Sequence, residues 1–283
     1  MVDEFLKIHE DLAAKYDVNY TEIATTDGLY ELALDEALQA EDVDIYGAEA
    51  AFVLKYIQGN MSDFTASYED LGIDVVAATA ATEITPYSIG IGTRQSDGKI
   101  VGLGYQSTGG AFIYRRSIAK EVFGDDAPEV VEAAIGAGSG NWDKFFEAAE
   151  ACKAKGYAII SGDGDMWHAV ENSSTEGWVV DGKLNIPAER EAFLDLSKKL
   201  KDNGYHHDTQ NWQEGWFSDM DLDGGVLGFY GPAWLINYTI GDHNHKGDEN
   251  SSFGDWAVCG PNVGFFWGGT WLLAGKGLDI VVE

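Results

Sequence analysis

The chain carries 48 acidic and 18 basic residues in 283, a formal charge of −30, and such a surface repels phosphate backbones and anionic headgroups over a Debye length of about 8–10 Å. Nucleic acid and membrane surfaces are therefore poor candidates as partners unless a local basic pocket overrides the field, and no run approaches the roughly 20 apolar residues of a membrane span. With 45% hydrophobic and 12% aromatic residues this is a folded protein large enough for two lobes; its field suits a neutral or cationic small ligand, though the acidity serves solubility equally well.

The N-terminus, Met1 to Phe5, has neither a basic nor an apolar leader region. The expectation is either a cytoplasmic protein or one whose export segment has been removed. Val2, Phe5, Leu6, His9, Leu12, Ala13 and Tyr16 recur at helical spacing and predict a first helix. A short strand is expected near Val18 to Ala24, then a turn and helix start at Thr25-Thr26-Asp27-Gly28. The helix that follows runs to about Gln39 with Leu29, Leu32, Ala33 and Ala37 inward. Val43-Asp44-Ile45-Tyr46 reads as a strand that ends in the loop Gly47-Ala48-Glu49. This alternation predicts parallel strands joined by helical crossovers. Leu278 to Val282 is a β-branched run that suits a buried strand. It either completes the first sheet, as in a circular permutation, or forms an ordinary edge strand.

The middle of the chain is a second unit. Trp142 to Lys155 has Trp142, Phe145, Phe146, Ala149 and Cys152 at helical spacing, and Tyr157 to Ile160 is a strand entering the loop Ser161-Gly162-Asp163-Gly164-Asp165. Pro187 opens a helix whose apolar set is Phe193, Leu194, Leu196 and Leu200. Val226 to Tyr230 is a strand ending in Gly231-Pro232, and Asp242 to Ser252 reads as a polar surface loop. Cys152 and Cys259 are expected as buried thiols, and without CxxC spacing no metal site is expected. Asp219-Met220-Asp221-Leu222-Asp223-Gly224 imitates the first half of a calcium loop, but its twelfth position is Tyr230 instead of Glu.

Four segments resemble the extracellular solute-binding proteins of carbohydrate ABC transporters (family 1, the maltose-binding-like group). They are Asp44 to Glu49 with Phe52 and Gly59; Gly109-Gly110-Ala111-Phe112-Ile113-Tyr114-Arg115-Arg116; Asn141-Trp142-Asp143-Lys144-Phe145; and Gly231-Pro232-Ala233-Trp234 with Gly268-Gly269-Thr270-Trp271. The resemblance implies an α/β, periplasmic-binding-protein-like fold of two lobes, each a central, largely parallel sheet flanked by helices, with a cleft between them. Residues 1–108 and 253–283 would form lobe one, with strand 278–282 completing its sheet, and 109–252 lobe two. It further implies a monomer without cofactor or catalysis that delivers a sugar to ABC transporter membrane subunits outside the cell or in the periplasm. Two departures stand out: the family's opening strand is missing before Met1, and its C-terminal helices do not follow Ala274.

A sugar presents flat C–H faces and rows of hydroxyls, so its site needs aromatic planes with a few acceptors and donors. The candidates stand at strand ends, where open α/β sheets bind ligands. Glu49 either accepts sugar hydroxyls or stabilises a helix start. Gln106, Ser107 and Thr108 precede the lobe crossing, as ligands or as hinge residues. Asp163, Asp165 and Trp167 follow a strand in a glycine-rich loop. Trp234 and Trp267 either stack on the ligand or belong to the core. A glycoside hydrolase remains a rival, because carboxylates such as Glu49 and Asp165 facing one bond would serve that chemistry. A rearranged scaffold that has lost binding is a third possibility.

Overall fold

The computed structural model describes residues 2–25 and 28–277. In chain order the elements are α1 (Val2–Ile8), α2 (Glu10–Lys15), α3 (Leu29–Gln39), β1 (Ile45–Glu49), α4 (Val53–Ile57), β2 (Thr65–Ala66), α5 (Val75–Thr82), α6 (Pro86–Gly92), β3 (Gly102–Gly104), β4 (Ala111–Arg115), α7 (Arg116–Phe123) and α8 (Pro128–Ile135). They continue with α9 (Asp143–Ala154), α10 (Asp163–Glu171), β5 (Val179–Val180), β6 (Lys183–Leu184), α11 (Ala188–Asn203), α12 (Glu214–Ser218), β7 (Gly228–Gly231), a π-helix (Leu235–Gly241), β8 (Trp256–Cys259) and β9 (Thr270–Gly275). Among the described residues, no helix is long and apolar enough to cross a membrane. Two compact units result, one of residues 2–48, 52–103 and 271–277, the other of 49–51 and 104–270.

The first unit is built on a sheet in the order β1-β9-β2, with β3 also paired to β9. β9 is thus its central strand, and Trp271 and Leu273 on it are buried with Tyr46, Tyr56 and Ile57. Buried polar groups are satisfied: Tyr46 Oη and Thr65 Oγ1 lie 2.6 Å apart, and Trp271 Nε1 donates to Ser88 O at 2.9 Å. The expected face of α3 is corrected. Leu34 and Leu38 are the buried residues, whereas Leu29 and Leu32 are exposed. The cause is Asp35, which accepts from Lys55 Nζ at 2.6 Å and Tyr56 Oη at 3.1 Å and so turns its own side of the helix toward α4. The predicted first helix is two short helices that bury no residue, and residues 16–25 form no strand. An apolar stripe specifies a face, but burial also requires something to pack against it. The turn at Thr26-Asp27 and the strand 278–282 lie outside the described residues.

The second unit centres on β4, flanked by β7 and β8. Its side chains alternate between two apolar clusters: Phe112 and Tyr114 join one with Phe145, Met166 and Leu200, and Ile113 joins another with Trp216, Val226 and Leu235. A strand covered on both faces requires this near-continuous apolar run. The expected parallel ladders are absent from these strands. Both β4 pairings are antiparallel, and the parallel contacts of this unit are the bridges Ala158↔Val226 and Ile160↔His206. β7 and β8 thus both run opposite to β4, the strand between them. The β8 pairing also explains why residues 253–270 belong to this unit and not to the first.

Arg115 closes β4 and is 1% exposed. Its Nε donates to Asp255 Oδ2 at 2.8 Å, Nη1 to Asp221 O at 2.7 Å and Nη2 to Leu222 O at 3.3 Å. The calcium-like loop is therefore a turn whose carbonyls serve a buried guanidinium. Its first carboxylate, Asp219, is occupied by His207 and Ser161, each at 2.7 Å. Among the described residues no three His, Cys, Asp or Glu side chains are grouped to hold a metal ion. Cys152 and Cys259 are buried free thiols, each pushed up to about 12 by burial.

Candidate functional site

β7 ends at Gly231, and the proline that follows, fixed in φ and lacking an amide proton, stops the ladder there. The chain then enters a helical turn at Trp234 that continues as the π-helix Leu235–Gly241, a rare geometry that is frequent at functional sites. Trp234 Nε1 donates to Trp267 O at 3.0 Å, and the two indoles meet edge to face at 4.8 Å. Trp267 in turn stacks on the His168 imidazole from α10, with centroids 3.6 Å apart and planes 15° from parallel. Trp212 lies nearly parallel to Trp234 at 5.9 Å and is 45% exposed.

Glu49 joins this aromatic group. Its Oε2 accepts the Ala51 amide at 2.7 Å, while a Cβ on Gly268 would stand 3.6 Å from its Oε1 and 3.2 Å from Trp234 Nε1. Gly268, at φ +81°, thus keeps the carboxylate and the indole edge close together. Burial raises the Glu49 carboxyl above its ordinary value, opposed by the amides of Ala51 and Ala50. The same cause drives His168 down to about 4, so at neutral pH its imidazole is an uncharged plate. Flat aromatic surface beside a carboxylate that can accept paired hydroxyls fits a polar ligand with apolar faces.

Of the residues singled out in the sequence, Glu49, Trp234 and Trp267 come together here. Thr108 is buried and positions Trp267: its Oγ1 donates to Gly268 O, and the Trp267 amide donates to Thr108 O, both at 3.1 Å. Gln106 and Ser107 are exposed in a stretch without regular structure. Asp163 accepts from Ser197 Oγ at 2.5 Å, and Trp167 packs on Phe193 at 4.8 Å; both tie α10 to α11. Asp165 is removed from the site, because it is fully buried and its Oδ1 accepts from Trp216 Nε1 at 3.1 Å. His168, which stands behind Asp163 and Asp165 in the sequence, and Trp212, which the sequence reading did not single out, also join this group.

Burial pushes the Asp165 carboxyl up to about 7. Its folded value thus lies above the ~3.9 of an unfolded chain, so the folded state holds the extra proton and stability falls as pH rises from about 4 through 7. Asp165→Asn carries no titrating group, and the stability difference between wild type and variant should vary across pH 4–7 in urea melts. A constant difference would refute the assignment.

Residues 1–281 match the sequence family described as bacterial extracellular solute-binding protein. No curated protein sequence matches. Among solved structures, an extracellular solute-binding protein of family 1 superposes with a TM-score of 0.80 at 19% identity, covering 99% of this chain and 69% of that one. The galacto-N-biose/lacto-N-biose I-binding protein of a Bifidobacterium longum ABC transporter, in complex with lacto-N-biose, gives 0.71 at 15% identity, covering 99% and 67%. The sugar-binding protein MalE of Xanthomonas citri gives 0.68 at 16%, covering 98% and 68%. Identities this low establish a shared fold.

Proposed function

The chain belongs to the bacterial extracellular solute-binding protein family, and from that premise we propose that it binds a carbohydrate, reversibly and without catalysis, on the aromatic group of its second unit. The observation that carries this reading is the convergence of Trp212, Trp234, Trp267 and His168 with the Glu49 carboxylate beside Gly268. Indole planes take the C–H faces of a sugar ring, and a carboxylate takes two hydroxyls with charge-assisted bonds about twice as strong as neutral ones. The likeness to a lacto-N-biose-binding protein and to MalE supports a mono- or oligosaccharide as the ligand. Hydrolysis calls for a second carboxyl at the scissile bond, and Asp165, the partner considered for Glu49, is spent in the interior on Trp216. The protein would act as a monomer outside the cell or in the periplasm and hand its sugar to ABC transporter membrane subunits.

Calorimetric titration with a panel of mono- and oligosaccharides tests this. We expect saturable binding to at least one sugar, with quenching or a shift of tryptophan emission. A flat response across the panel would overturn the reading.

A further inference from the structure

Asn211 and Trp212 are consecutive and both depart from what folding alone favours. The Asn211 Nδ2 and Oδ1 atoms are shut off from solvent and have no hydrogen-bond partner among the described residues. Buried amide groups are nearly always paired, because leaving one unpaired forfeits the hydrogen bonds it had with water. Trp212 sits at φ +69°, a left-handed conformation that is rare for a bulky side chain and that clusters at ligand clamps and switch regions.

Their surroundings connect the two to the aromatic group. The Asn211 carboxamide lies against the first turn of α10: a Cβ on Gly164 would come within 2.5 Å of its Oδ1, so a larger residue there would displace it. His168 stands one helical turn further along the same face and stacks on Trp267. Trp212 turns its ring parallel to Trp234 and edge-on to Trp267, at 6.2 Å from the latter. An amide with both a free donor and a free acceptor therefore lies against the helix that carries His168, and the next residue in the chain is the tryptophan that is 45% exposed.

We infer that Asn211 and Trp212 are specificity-determining residues of the carbohydrate site. Trp212 stacks on the sugar, and binding turns the adjoining Asn211 carboxamide to the ligand, where it donates from Nδ2 and accepts at Oδ1 to two adjacent hydroxyls of one sugar ring. The ligand class this selects is a sugar with a free vicinal diol at that ring, and an analogue lacking either hydroxyl leaves the amide buried and unpaired. This inference rests on the carbohydrate reading above.

The test pairs Asn211→Ala with deoxy analogues of whichever sugar the wild type binds in the calorimetric panel. In the wild type, removing one of the two hydroxyls should weaken binding about tenfold or more. In Asn211→Ala the intact sugar should bind about tenfold more weakly and the deoxy penalty should vanish. The melting temperature of Asn211→Ala should not fall, since the amide holds nothing in the free protein. Trp212→Phe should retain binding, and Trp212→Ala should lose it. An undiminished deoxy penalty in Asn211→Ala, or a large drop in its melting temperature, overturns the inference and leaves carbohydrate binding standing. A wild type that binds no sugar in the panel overturns both.

Discussion

Trp234→Ala should weaken sugar binding by about thirtyfold to a hundredfold while the protein remains folded. The side chain has two roles in the site. Its ring is one wall of the aromatic group, and its Nε1 holds the Trp267 carbonyl at 3.0 Å. Truncating an anchor of this type typically costs about 2 kcal/mol or more, and each ~1.4 kcal/mol is tenfold in affinity. The loss should exceed that of Glu49→Gln, which keeps the shape and an acceptor oxygen at that position. Titration of both variants with the sugar that binds the wild type gives the comparison, and circular dichroism confirms folding. An unchanged dissociation constant in Trp234→Ala would mean that the sugar binds elsewhere.

Arg115→Leu should destabilise the protein by roughly 3–5 kcal/mol, the usual consequence of removing one partner of a buried ion pair. The guanidinium is 1% exposed and joins four groups: the Asp255 carboxylate, the carbonyls of Asp221 and Leu222, and the Trp256 ring at 5.4 Å. Leucine satisfies none of the three oxygens. At a few degrees per kcal/mol for a unit of this size, the melting temperature should drop by on the order of 10 °C. Arg115→Leu combined with Asp255→Asn should recover part of the loss, because the second change removes the anion that the first leaves unpaired. The recovery is only partial, since the Ser117 amide also donates to the Asp255 carboxylate, at 2.9 Å. Thermal melts of the single and double variants measure the coupling. A single variant that melts with the wild type would show the network to be dispensable.

Much of the local structure is legible in the sequence where periodicity and helix-start residues agree. Trp142 to Lys155 reads as a helix and is one over Asp143–Ala154, and the helix opened by Pro187 runs Ala188–Asn203. The family is legible as well, from four short segments in the right order. The face of α3 is not, because its orientation is decided by Asp35 finding Lys55 and Tyr56, partners about twenty residues on that no periodicity reports. The same holds for the site. Glu49, Trp234 and Trp267 stand at recognisable strand ends and turns, but their convergence at Gly268 is tertiary. Asp165 looks like a loop carboxylate in the sequence and lies in the core, because Trp216, fifty-one positions away, supplies its hydrogen bond. Trp212 carries no local signal beyond being aromatic; what distinguishes it is a backbone angle.

The place of β9 at the centre of the first unit's sheet has a consequence for how the chain folds during synthesis. Residues 104–270 emerge as one nearly continuous stretch and contain all of β4, β7 and β8. The second unit can therefore assemble while the ribosome is still at work. The first unit cannot, since β1, β2 and β3 have been made but the strand that joins them, Thr270–Gly275, comes after all of these. Domains usually mature from the N-terminus onward at the pace of elongation. Here the order is reversed: β1, β2 and β3 are made long before Thr270–Gly275, the strand that pairs with each of them.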